Sequence, residues 1–98
     1  MSFSSDYAAE LQKIINNNSF LVDVRTPEEF AEGHVPGSVN IPLDTIPLQL
    51  PLFMRKDNII VFCRSGMRSA QAKGFLDQQG FNNVFNAGTW MDVKQMIQ

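Results

Sequence analysis

The residues best suited to covalent chemistry lie in one short stretch, Cys63-Arg64-Ser65-Gly66-Met67-Arg68-Ser69. Cys63 is the only cysteine and His34 the only histidine, which excludes an internal disulfide and a zinc or iron-sulfur cage within one chain. A thiol attacks as its thiolate, and at an unperturbed pKa near 8.5 only about 3% is ionised at pH 7. A pKa of about 6.5 would ionise roughly three quarters, which requires about 2.7 kcal/mol of differential interaction. A helix N-terminus contributes ~0.3 to 1 kcal/mol, at most ~2. Loop amides and the charges of Arg64 and Arg68 must therefore supply the remainder, and no histidine base is needed.

The elements that must position this loop follow from pattern. A lone cysteine ending an apolar run is commonly a buried small hydrophobe. Here, however, Asn58-Ile59-Ile60-Val61-Phe62-Cys63 reads as a strand, the loop contains Gly66, and a helix begins at Arg68 or Ser69 and runs to Gln79, closed by Gly80. The thiol thus stands at the carboxyl end of a strand and before a helix N-terminus, where open α/β sheets bind ligands. Tyr7, Ala8, Leu11, Ile14 and Ile15 follow a helical period, and Phe20 to Val24 reads as a strand covered on both faces. Thr26-Pro27-Glu28-Glu29 has the form of a capping box opening a short helix that runs to about Gly33.

Prolines at 36, 42, 47 and 51 leave room for a short strand at Ser38 to Ile41 and one irregular helix near Asp44 to Met54. Val84 to Asn86 is a last strand and Met91 to Ile97 a final helix. Alternating strands and helices predict an α/β domain with a parallel sheet, one domain over residues 1–98. Phe20, Phe30, Phe53, Phe62, Phe75 and Phe81 are assigned to the core.

Eight Lys plus Arg against ten Asp plus Glu give a net charge of -2, which argues against nucleic acid or anionic lipid as a generic partner. No apolar run approaches the ~20 residues of a membrane span, and the first residues lack the basic and apolar regions of a signal peptide. The expectation is a cytoplasmic protein, or a periplasmic one if a signal peptide has been removed.

Three stretches resemble the single-domain rhodaneses, the thiosulfate-type sulfurtransferases. Leu21-Val22-Asp23-Val24-Arg25 with Glu29-Phe30, Gly33 to Ser38 and Asn40-Ile41-Pro42 is similar to the family's N-terminal signature. Ile60 to Ala70 resembles its active-site loop, and Gly80-Phe81 with Val84 to Gly88 its closing segment. The likeness extends from about Phe20 to Trp90. It implies a three-layer domain with a central five-stranded parallel sheet flanked by helices, and no cofactor.

It also implies a two-step reaction. Cys63 takes the outer sulfur of thiosulfate as a persulfide, releases sulfite, and passes the sulfur to cyanide or a thiol, including a protein thiol. In that scheme Arg68 holds the anionic donor, Arg64 adds to the positive rim, and the amides from Arg64 through Ser65, Gly66, Met67 and Arg68 to Ser69 cradle the transferred sulfur. Four residues separate Cys63 from Arg68. The related phosphatases have five, which makes a wider loop sized for phosphate. The alternatives are a persulfide carrier fed by a protein donor and a non-catalytic interaction or sensor module. Met67 is placed at the pocket mouth, His34 is read as a hydrogen-bonded structural residue, and Arg25 as the ion-pair partner of Glu28 or Glu29. Ala87-Gly88-Thr89-Trp90 departs from the family's Gly-Gly pattern and leaves the role of Trp90 open, as the prolines do for the Pro47 to Pro51 segment.

Overall fold

The computed structural model describes residues 5–97. The strand predicted to end on the cysteine is β3, Asn58–Cys63, and every residue of it after Asn58 is buried. Its side chains alternate between two apolar clusters. Ile59, Val61 and Cys63 join one, while Ile60 and Phe62 join the other. A strand covered on both faces has no polar face to present, which is why the run is continuously apolar.

β1, Ser19–Asp23, lies on one side of β3 and β4, Val84–Thr89, on the other. A two-residue β2, Val39–Asn40, completes the order β2-β1-β3-β4, with every pairing parallel. The sheet therefore has four strands among the described residues, not five. The physical reason is in the connections. From Leu43 to Phe53 the chain is wound into two short 3-10 helices around Pro47 and Pro51, and every other connection is a helix or a short turn. The single irregular helix expected there is thus two, Leu43–Leu48 and Leu50–Phe53.

Four α-helices flank the sheet: α1 (Ser5–Ile15), α2 (Pro27–Glu32), α3 (Met67–Gln78) and α4 (Trp90–Met96). Leu11 and Ile15 of α1 pack with Val93 of α4 against one face. Ala72 and Leu76 of α3, with Ile46 and Phe53 from the 3-10 segment, cover the other. Phe53 and Phe62 are buried as expected, and Phe20, Phe75 and Phe81 pack at the edge of the first cluster. Phe30 lies outside both clusters and stacks on His34 instead.

α3 ends in a Schellman motif. Gly80, at φ +98°, donates its N–H to the Asp77 carbonyl, and Phe81 donates to that of Leu76. This closure seats Phe81 beside the core it helps to cover. Leu76 is fully buried in that cluster. Leu76→Ala should cost about 2–5 kcal/mol in urea denaturation, and Met67→Ala, at a position 71% exposed, less than about 0.5 kcal/mol.

Candidate active site around Cys63

At the carboxyl end of β3 the chain turns through Arg64, Ser65 and Gly66 before α3 begins at Met67. Gly66 adopts φ +97°, a left-handed conformation that side chains disfavour. That turn aims the Gly66 N–H at Cys63 Sγ, 3.0 Å away. Ser69, in the first turn of α3, brings its Oγ to 3.5 Å from the same sulfur. Cys63 and Ser69 are both fully buried.

Burial, the largest single influence, pushes the Cys63 thiol up. The Ser69 hydroxyl and the backbone amides of Ser69, Gly66 and Ser65 together act in the opposite direction and bring it below the ordinary thiol value. The supply of loop amides anticipated from sequence is therefore present. Its strongest single donor, however, is a side chain.

Asn86 of β4 holds this arrangement, and sequence reading gave it no role. Ser69 Oγ lies 2.7 Å from Asn86 Oδ1 and 3.1 Å from the Gly66 carbonyl, so one hydroxyl proton faces three acceptors, the sulfur included. The Gly88 N–H donates to Asn86 Oδ1 at 2.9 Å, which fixes the orientation of the amide. A β-bulge makes this reach possible. Val61 pairs with Asn86 and Cys63 with Thr89, so two steps along β3 match three along β4. The only signal in the sequence is an amide side chain inside a closing strand just before a glycine.

Arg68 extends from α3 to Glu29 of α2 in a two-pronged ion pair, with Nη1 to Oε1 2.6 Å and Nη2 to Oε2 3.0 Å. Glu29 Oε1 also accepts from the N–H and hydroxyl of Thr26, completing the capping box read from sequence. The Arg68 guanidinium first, then the Thr26 N–H, hold the Glu29 carboxyl at about 2 against the opposing effect of burial. The anchored helix start and the arginine of the loop thus share one carboxylate.

The expected pairing of Arg25 with Glu28 or Glu29 does not form. Arg25 turns back to Asp23, two residues earlier and on the same side of an extended chain, with Nε at 2.9 Å from Oδ1 and Nη2 at 2.7 Å from Oδ2. Nη2 also donates to the Gly33 carbonyl at 2.7 Å. Asp23 is fully buried and Arg25 is 4% exposed. A buried aspartate left without its arginine would be costly, so this pair takes precedence over one at the surface.

Arg64, Ser65 and Met67 are exposed. A cavity of about 260 Å³ beside Arg64 is lined by Arg25, Glu29, Glu32, Gly33 and Trp90, and Met67 does not reach it. Trp90 lies with its ring centroid 4.5 Å from the Arg25 guanidinium, and its ring edge would stand 3.2 Å from a Cβ at Gly33. His34 is structural, as read from sequence, with Nδ1 2.9 Å from the Phe30 carbonyl and its ring stacked on Phe30.

Two outcomes follow from these geometries. The thiolate of Cys63, followed by its ultraviolet absorbance, should titrate below the range of an ordinary thiol, because the Ser69 hydroxyl and the loop amides outweigh burial. Ser69→Ala should raise the midpoint, and a wild-type midpoint at or above that of an ordinary thiol would contradict the account. Because the folded-state carboxyl of Glu29 is lowered from 4.5 to about 2, its contribution to stability is full above pH 4.5 and lost as pH falls toward 2. Glu29→Gln should therefore cost about 1 kcal/mol at pH 7 in denaturant titrations, with the difference from wild type vanishing near pH 2.

The family model of the rhodanese-like domain matches residues 7–92. A sulfurtransferase of Allochromatium vinosum is 41% identical over 66 residues, 67% of this chain and 62% of that protein. The thiosulfate sulfurtransferase PspE of Escherichia coli is 36% identical over 74 residues, 74% of this chain and 71% of its own length. The crystal structure of a protein from Staphylococcus saprophyticus superimposes with a TM-score of 0.74 at 38% identity, covering 89% of this chain and 88% of the other. A parallel sheet flanked by helices, a loop wrapped around a buried cysteine, and these matches lead to one conclusion: the chain belongs to the rhodanese-like domain family.

Proposed function

We propose that this protein is a thiosulfate sulfurtransferase acting through a persulfide on Cys63. The observation that carries the reading is the Gly66 N–H directed at the Cys63 sulfur at 3.0 Å, in a loop that lowers the thiol although burial opposes it. Thiolate Sγ attacks the outer sulfur of thiosulfate and forms a new S–S bond. The old S–S bond breaks, and its electron pair leaves with sulfite. The persulfide then sits among loop amides aimed inward, where partial negative charge on sulfur is stabilised by fixed donors. In the second half, cyanide or a thiolate attacks the outer sulfur, and Cys63 departs as thiolate to the same donors.

The arginines divide the work on the donor. Arg64 is exposed and has no partner among the described residues, so its charge is free to attract an anion. Arg68 is held in place by Glu29, and a dianion at the loop mouth shares the guanidinium with that carboxylate. The ion pair keeps Arg68 ordered before the donor arrives, at the cost of part of its positive field. The circuit from Cys63 to Arg68 spans six residues and closes around a single sulfur.

Cys63→Ser should lower thiosulfate-to-cyanide turnover at least about a thousandfold. Intact mass after exposure of the wild type to thiosulfate should show one additional sulfur that dithiothreitol removes. Turnover unaffected by Cys63→Ser would overturn the proposal.

A further inference from the structure

The reaction above uses the loop and leaves the neighbouring cavity of about 260 Å³ without a task. Two of its four charged lining residues are already committed. Glu29 holds Arg68, and Arg25 spends Nε and Nη2 on Asp23 and the Gly33 carbonyl. The remaining nitrogen of Arg25, Nη1, has no hydrogen-bond partner among the described residues. Yet no buried side-chain nitrogen or oxygen among them lacks a partner. The 4% of Arg25 that is exposed therefore includes Nη1, and the surface that Arg25 lines is this cavity.

A guanidinium fixed along one edge by Asp23 and on its face by Trp90 cannot turn its free N–H groups elsewhere. A rigid and largely desolvated arginine with one open nitrogen is a receptor for a carboxylate or a comparable anion. Arg64 stands on the same wall and follows Cys63 directly in the chain. Glu32, exposed at the end of α2, offers an unshared negative charge on the same lining. Cation and anion together fit a molecule that carries both charges.

We infer that this cavity receives the headgroup of a small amino-acid thiol, the acceptor of the sulfur, with its carboxylate on Arg25 Nη1 and Arg64 and its ammonium toward Glu32. The inference rests on the persulfide reading. After sulfite leaves, the outer persulfide sulfur takes a proton from water, and in the transfer step the acceptor thiolate bonds to that sulfur. The S–S bond to Cys63 breaks, and Sγ takes the electron pair, leaving a new small-molecule persulfide.

The lone tryptophan, Trp90, lines the cavity and reports on it by fluorescence. In Cys63→Ser protein, which forms no persulfide, S-methylcysteine should give a saturable change, propionate a weaker one and ethylamine none. In the wild type with thiosulfate as donor, the KM for cysteine should be lowest. Cysteamine, which lacks the carboxylate, should have a KM about tenfold higher, the worth of a hydrogen bond to a charged group. 3-Mercaptopropionate, which lacks the ammonium, should lie at most about fivefold above cysteine, the worth of an exposed ion pair. Glu32→Gln should raise the KM of cysteine to that of 3-mercaptopropionate. Transfer to all three thiols with equal KM, or no saturable fluorescence change, would overturn this inference and leave the persulfide intact. Saturable fluorescence with transfer to cyanide but to no thiol would likewise overturn this inference, whereas transfer to neither would overturn the persulfide reading.

Discussion

Lowering the pKa of a buried thiol against the effect of its own burial is the constraint to which the rest of the structure answers. Burial alone favours the neutral thiol, and no cation among the described residues hydrogen-bonds to the sulfur, although Arg68 and the sulfur interact through charge. The opposing effect comes from donors placed at short range, and donors work only when their directions are fixed. Each direction has its own support. Gly66 must be left-handed to point its N–H inward, and Ser69 must sit in the first turn of α3. Asn86 must reach both from the next strand, which the bulge in β4 permits.

Glu29 ties a second layer to this centre. Its carboxylate caps α2 and grips Arg68 at the start of α3, so two helix starts on neighbouring connections are joined through one side chain. The buried Asp23–Arg25 pair performs a similar service one position inward, linking the end of β1 to the turn at Gly33. Together they give the carboxyl edge of the sheet a fixed outline. A loop of irregular backbone is rigid there because charged groups on both sides leave it little freedom.

What the sequence disclosed was whatever depends on near neighbours in the chain. The apolar run ending in Cys63, the Thr26–Glu29 capping box, Gly80 after α3 and the irregular proline-bearing segment are all local patterns, and each appears where it was read. Pairings across the chain were not legible. Spacing tells which residues share one helix face. It does not tell that Arg68 meets Glu29, 39 positions away, or that Ser69 meets Asn86, 17 away. Arg25 was assigned to Glu28 or Glu29 because helix-start carboxylates are near in sequence, whereas burial of Asp23 decided the matter. The fifth strand entered by family likeness rather than from the residues, whose own patterns yield four.

The hydrogen bonds from Asn86 carry one further consequence, which concerns the order in which the chain is made. Gly66 and Ser69 emerge well before β4, yet the amide that holds them belongs to β4. Parallel pairing of β3 with β4 is a non-local contact that cannot form before β4 has been made. Until β4 docks, the Asn86 amide that orients Gly66 and Ser69 is not in place. The loop that bears Cys63 therefore gains its full set of hydrogen bonds only on completion of the strand that follows.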